Sequence, residues 1–335
     1  MSKVLVLNYD EVASVITPSL AVKAVEKAYV QSEDGSGSNW PMVFHDFETG
    51  KADLDIKSGD LADTYGLKVV SWMAANSEKG LPELMSTVLL FDKTNGQPIA
   101  LMNAGALTGC RTGAAAAVGA KYLARKDSET LLMVGCGHIA AYAVAAALIE
   151  LEGIRKVLVV NPHHPEKTDD QITDFVAHVK EIMNLDGKSL ETEILACSDV
   201  AAGCAQADII FTATPARSPI VLKGDVKQGT HFSCLGADMS GKEEIDAQLF
   251  ADAFVVGDDA AQCLSVGECE LPYKNGVITG LDATIGQVIG GKASRENAEQ
   301  ITIFDSTGIA LQDLSTAALV IEAAKEKKLG VYVEL

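Results

Sequence analysis

The 335 residues are 48% hydrophobic and 22% charged, enough apolar material for two sizeable cores and too little polarity for a disordered chain. Forty-six acidic against 27 basic residues give a formal charge of −19, which repels nucleic-acid phosphate and anionic membrane, so an anionic ligand has to be captured by local cations. The seven cysteines (110, 136, 197, 204, 234, 263, 269) are scattered without a Cys-x-x-Cys pair and read as small hydrophobes of a reducing compartment, not as disulfides or a metal site.

Residues 1–10 have too short an apolar run for a signal peptide, and a cytoplasmic location is expected. Thr17-Pro18 supplies a cap and a first helical residue, and Leu20, Ala24, Val25, Ala28 and Tyr29 repeat at helical spacing as far as Asp34-Gly35, which predicts an N-terminal helix. Strand-like runs follow at 54–56, 67–72 and 87–91. The last is joined through Thr94-Asn95-Gly96 to 98–102, an Asn-Gly hairpin signal, so this half is expected to be antiparallel. An alanine-rich helix is expected over 107–124.

Residues 129–140, Glu-Thr-Leu-Leu-Met-Val-Gly-Cys-Gly-His-Ile-Ala, read as a buried strand, a glycine turn and an apolar helix. Gly135 permits the tight turn, Gly137 lets the backbone approach phosphates, and Ala140 packs helix on strand. The helix start, with His138 and Ile139, offers free N–H groups to a dinucleotide pyrophosphate. A lone Gly-x-Gly is often only a turn. Here further apolar strands follow at 156–160, 207–214, 230–236 and 253–257, alternating with helical stretches, which implies a doubly wound parallel sheet of Rossmann type. Residues 131–150 are nearly apolar, yet the glycines and the length favour a strand–turn–helix over a membrane span. Near the end, 301–304 is one more strand and 309–328 a long helix closed by Lys325, Lys327, Lys328 and Gly330. The terminal pieces are too small to stand alone. The expected organisation is therefore a mixed α/β substrate-binding and dimerisation domain from 1–120 with 305–335, and a Rossmann domain over 121–304, with the active site in the cleft between them.

Lys68 interrupts an otherwise apolar strand, where a lysine is either a snorkelling surface group or a placed cation. Arg111, the first arginine in the chain, lies near the start of the alanine-rich helix, where guanidinium and free amides can together grip a carboxylate. Lys57 is a second cation in that half. The strand ends at Thr212 and at Leu235-Gly236 fall on the carboxyl edge of the sheet, where α/β folds bind ligands, and are counted as cofactor contacts. Asp238 beyond them is either a general acid or base or the cap of a following helix. Asp305-Ser306-Thr307-Gly308 opens the last helix and caps it, contacts ligand, or does both. The strand 156–160 ends in Asn161-Pro162-His163-His164, not in an acid that would bind a ribose 2′-hydroxyl. Asn161, His163, His164 and Lys167 instead suit a 2′-phosphate, with Glu166 opposing, which gives a slight lean to NADP over NAD. The histidines form no metal arrangement and no nucleophile elbow is present.

In order, Gly66-Leu67-Lys68-Val69, Leu107-Thr108-x-x-Arg111-Thr112-Gly113-Ala114-Ala115, Gly135-x-Gly137, Gly236-x-Asp238-x-x-Gly241-Lys242-x-Glu244 and Ile301-Thr302-Ile303-Phe304-Asp305-Ser306-x-Gly308-x-Ala310-x-x-Asp313 resemble the ornithine cyclodeaminase/mu-crystallin family over nearly the whole length. The resemblance implies a homodimer, a bound NAD(P), and chemistry at the α-carbon of an amino or imino acid. It implies that Lys68 contacts the substrate and shares in catalysis, that Arg111 lies at substrate and nicotinamide with Thr112 beside it, and that Asp238 is the catalytic acid or base. Lys242, Ser306 and Thr307 are implied to line cofactor or substrate. There are departures. The family often has an arginine in the strand after the first helix, where Asn39-Trp40-Pro41-Met42-Val43 stands here. Lys57 replaces a common Met-Pro and can supply the missing cation, and His138-Ile139 stands in place of a common glutamine. Three activities fit: an imino-acid reductase or its reverse, an amino-acid dehydrogenase; a cyclodeaminase that uses NAD internally and expels ammonia; and a non-catalytic ligand binder. The first is favoured, and the third is weakened because Lys68, Arg111 and Asp238 are all retained.

Overall fold

In the computed structural model, which describes residues 3–335, the chain begins β1 (Lys3–Leu7), α1 (Tyr9–Ala13), α2 (Pro18–Asp34), β2 (Ser38–Asn39), β3 (Val43–Glu48), β4 (Ala52–Asp60), β5 (Thr64–Met73), β6 (Leu84–Asp92), β7 (Pro98–Asn103) and α3 (Gly105–Leu123). The middle holds β8 (Thr130–Val134), α4 (His138–Glu150), β9 (Lys156–Val160), α5 (Thr168–Asn184), β10 (Glu193–Ala196), α6 (Val200–Cys204), β11 (Ile209–Thr212), β12 (Arg217–Val221), β13 (His231–Cys234) and β14 (Glu243–Ile245). Then come β15 (Phe254–Gly257), α7 (Ala260–Val266), α8 (Glu270–Lys274), β16 (Ala283–Thr284), α9 (Ile285–Ile289), β17 (Thr302–Asp305), α10 (Ala310–Glu326) and β18 (Val331–Glu334). The chain divides into two compact units. One comprises the residues up to Ile16, Lys23–Arg111 and Ile309–Leu335; the other comprises Thr17–Val22 and Thr112–Gly308. Of the four breaks, one falls inside α2 and one inside α3, next to Arg111.

In the first unit an eight-stranded sheet runs β18-β1-β7-β6-β5-β4-β2, with β3 also on β4. It is antiparallel apart from the β1–β7 pair. The expected hairpin is β6–β7, and Gly96 takes the positive φ of 75° that its turn requires. Because side chains alternate across a strand, Lys57 and Gly59 of β4, Gly66, Lys68 and Val70 of β5, and Ser86, Val88 and Leu90 of β6 share one buried face. Helix α10 packs on it. A Cβ on Gly66 would come within 2.4 Å of the Leu89 carbonyl oxygen and 3.1 Å of Leu314 Cδ2, so the missing side chain is what lets α10 approach. Gly66→Ala is therefore expected to lower stability by about 1–3 kcal/mol, read as a lower midpoint of chemical denaturation.

In the second unit eight parallel strands run β10-β9-β8-β11-β13-β17-β15-β16. The order reverses between β8 and β11, the place where doubly wound sheets open a ligand crevice. Strands β11, β13, β15 and β17 are buried at every residue, as a sheet covered on both faces demands. Five of the seven cysteines are buried as free thiols. No helix among the described residues is long and apolar enough to cross a membrane.

Candidate active site

Within the first unit, the buried sheet face delivers Lys68 to Asp313 of α10: Nζ donates to Oδ1 at 2.7 Å. Arg111 Nε donates to the same oxygen at 2.9 Å, and its Nη1 donates to Gln312 Oε1 at 3.0 Å. Gln312 in turn donates to the Tyr29 hydroxyl at 2.5 Å. Lys68 is 1% exposed and Asp313 fully buried, so the snorkelling reading of Lys68 gives way to that of a placed cation. Lys57, also buried, stands directly opposite Lys68 in the β4–β5 register. One expectation is corrected. Helix α3 begins at Gly105, so Arg111 sits in its second turn, past the free amides, and its guanidinium works with side chains instead.

Asp313 lies in the first turn of α10, where the helix dipole favours a carboxylate. Burial alone would raise its pKa, but Arg111 and Lys68 hold it below the usual range. Burial, then Arg111 and Lys57, push the Lys68 ammonium down from 10.5 to about 7, against the opposing pull of Asp313. Two buried cations thus share one carboxylate oxygen, which leaves an excess of positive charge at this point of the first unit. Asp313→Asn leaves both cations without their counter-charge and is expected to cost about 3–5 kcal/mol of folding stability, measured by urea denaturation.

Within the second unit the turn after β8 fits a dinucleotide pyrophosphate. Gly135 holds a φ of 120°, and a Cβ there would lie 2.7 Å from the Ala213 carbonyl oxygen. Gly137 caps α4 without a side chain, and a Cβ on it would meet nothing within 4 Å, so the first amides of the helix face open space. His138 is the first residue of α4 and is exposed, Ile139 is half-buried, and Ala140 is fully buried against the sheet. A Cβ on Gly113 would lie 2.4 Å from the Tyr142 carbonyl carbon, which marks how closely α3 and α4 pack.

At the carboxyl edge the structure departs from several expectations. Thr212 is fully buried, and its hydroxyl donates to Glu244 at 2.6 Å, which takes it away from a cofactor. Glu244 also accepts from the Thr214 amide and hydroxyl (2.7 and 2.8 Å) and from the Gly236 amide (2.9 Å). Leu235 is buried beside them. Asp238 caps no helix, since β14 follows; it is exposed and ion-paired with Lys242. The loop that carries both is fixed by Glu270, which accepts from the Gly241 amide at 2.7 Å and from the Ser240 hydroxyl. Ser306 and Thr307 donate to Asp258 at 3.3 and 2.7 Å, joined by the Gly308 amide at 2.8 Å, so the Thr307 hydroxyl expected at the substrate is held inside the protein. Neither residue caps α10; that position is Ile309. Asn161 Oδ1 accepts from the His163 and His164 amides (3.2 and 3.1 Å) while its Nδ2 donates to Gln171 (2.9 Å), which makes it a turn former before it is a phosphate donor. His163 is exposed.

The sequence pattern of ornithine cyclodeaminase/mu-crystallin proteins matches residues 2–328. The chain belongs to this family. Among family relatives, the alanine dehydrogenase of Archaeoglobus fulgidus is 36% identical over 333 residues, covering 98% of each chain. The iminosuccinate reductase of Paracoccus denitrificans is 34% identical over 334 residues, 99% of this chain and 100% of that one. A solved archaeal alanine dehydrogenase dimer with bound NAD superposes over 100% of both chains with a TM-score of 0.89 at 34% identity. Two buried acids that organise these networks, Asp313 and Glu244, are not singled out by the sequence reading. Both stand inside the motifs that carry the resemblance. The signal for Asp313 is the single acid in the first two turns of a helix that is buried from Ala310 to Ala317.

Proposed function

We propose that this protein is an NAD(P)-dependent oxidoreductase acting at the α-carbon of a small amino or imino acid, an imino-acid reductase or, in reverse, an amino-acid dehydrogenase. The observation that carries the reading is the buried pair Lys68 and Arg111 on one oxygen of Asp313. Its excess positive charge suits an α-carboxylate, and a lysine poised near neutrality beside it suits proton exchange on the substrate nitrogen. The named activities of the relatives support the same class.

Arg111 holds the carboxylate, with Lys57 adding charge and Thr112 next to Arg111 in the helix. Lys68 gives a proton to the nitrogen in reduction and takes it back in oxidation, because at about 7 it exists in both forms at neutral pH. Asp238, paired with Lys242, is the second acid or base. Gly135, Gly137, His138, Ile139 and the opening amides of α4 hold the pyrophosphate, and Ser306 and Lys242 border the cofactor. The nicotinamide, when bound, supplies or accepts the hydride. A slight preference for NADP rests on the absence of an acid at the end of β9. The exposed apolar residues Val43, Phe44, Phe47, Met85 and Leu101 of the first unit suit contact with a second copy, giving a cytoplasmic homodimer.

In the direction of imine reduction, kcat/KM is expected to fall as pH rises through about 7, since the protonated lysine is the acid; in oxidation it is expected to rise over the same interval. Lys68→Met should remove that limb and lower turnover by about 10²–10⁴-fold. Arg111→Lys replaces a planar fork by a point charge and should raise the Michaelis constant for the amino or imino acid at least about tenfold. Nicotinamide absorbance decides the class: stoichiometric consumption of NAD(P)H with an imino acid supports the proposal, whereas ammonia release without net cofactor turnover overturns it.

A further inference from the structure

The phosphate turn carries a feature that hydride transfer does not use. His138 stands at the first position of α4, exposed, where the helix amides are uncapped and the space over Gly137 is open. Its ring lies 5.0 Å from that of Tyr142, one turn further along the helix, and 5.6 Å from that of His178 in α5. Tyr142 and His178 meet edge to face at 5.6 Å, completing a three-ring cluster. Two imidazoles therefore stand together at the one helix terminus that the cofactor reading assigns to an anion.

In the protein alone, charge on His138 is disfavoured by the partial desolvation of its ring, although the residue as a whole is exposed, and by His178, and the positive end of the α4 dipole adds to this. Cys136, its neighbour in the turn, is pushed up to about 11 by burial and stays neutral. A pyrophosphate reverses the balance: two negative charges at the helix start favour the imidazolium and relieve its repulsion with the dipole. We propose that His138, backed by His178, is a proton-coupled contact for the dinucleotide pyrophosphate, so that the cofactor binds together with a proton and binds more tightly as pH falls through neutrality. The inference rests on the assignment of the Gly135–Gly137 turn to the pyrophosphate.

ADP-ribose tests it, because it carries the pyrophosphate without the nicotinamide and so leaves the chemistry of Lys68 out of the measurement. Titration calorimetry of the full chain at pH 6, 7 and 8, in two buffers of different ionisation enthalpy, gives both affinity and proton uptake. Affinity should fall about tenfold from pH 6 to pH 8, with net proton uptake near pH 7. His138→Gln should bind with nearly pH-independent affinity and no uptake. His178→Gln, which removes a repelling neighbour, should move the pH dependence upward. ADP-ribose binding with flat affinity and no uptake overturns the proposal and leaves the turn as the pyrophosphate site; uptake retained in His138→Gln also overturns it. Failure of the unaltered protein to bind ADP-ribose overturns both.

Discussion

The first unit is organised around one buried carboxylate. Asp313 brings a cation from a strand and a cation from a helix onto a single oxygen, and each of the three carriers belongs to a different stretch of the chain: β5, α3 and α10. Desolvating such a set is costly, and the cost is recovered only when geometry is good and the remaining donors are satisfied. Gln312 and Tyr29 meet part of that second condition, taking up Arg111 Nη1 and tying α2 into the same network, while Asp313 Oδ2 is buried without a hydrogen-bond partner. Gly59 and Gly66 serve the geometry, since a side chain on either would meet both backbone oxygen and the α10 leucines.

The second unit uses buried charge in the opposite sense. Its carboxylates face backbone amides and hydroxyls at the ends of strands: Glu244 joins the ends of β11 and β13, Glu268 accepts from the Glu244 and Ile245 amides at 2.7 and 2.8 Å, and Asp258 gathers Ser306, Thr307 and Gly308. Burial raises Glu244, Glu268 and Asp258 above the usual carboxylate range, and raises Asp305 to about 7. Acids here fasten the carboxyl edge of the sheet, whereas in the other unit one acid is shared by two cations. The net charge of −19 describes neither arrangement.

Local signals were legible where a residue acts through its own neighbours. Thr17-Pro18 and the apolar spacing behind it mark α2, Asn95-Gly96 marks the β6–β7 turn, and Lys156–Val160 is β9 to the residue. Strand β4 extends well beyond 54–56 because its polar residues Asp53, Lys57 and Ser58 break the apolar pattern while β2, β3 and β5 still complete its hydrogen bonds. Strands β3 and β18, exposed along their whole length, exist through pairing alone and leave no periodic trace. In the first unit, Lys68 and Arg111 were visible as cations set in otherwise apolar or alanine-rich segments. Their partners were not, since a lysine at 68 says nothing of an aspartate 245 positions later.

That separation has a temporal meaning. A ribosome adding about 5–20 residues per second takes roughly 10–50 s to pass from Lys68 to Asp313. For most of this interval β5 and the start of α3 are already made, yet the helix that covers their face and neutralises their charge is not. Every strand and helix of Thr112–Gly308 emerges in the meantime. The nascent chain therefore has its parallel sheet available to fold as a contiguous block while the older antiparallel strands wait, their cations still hydrated, for the last helix to arrive.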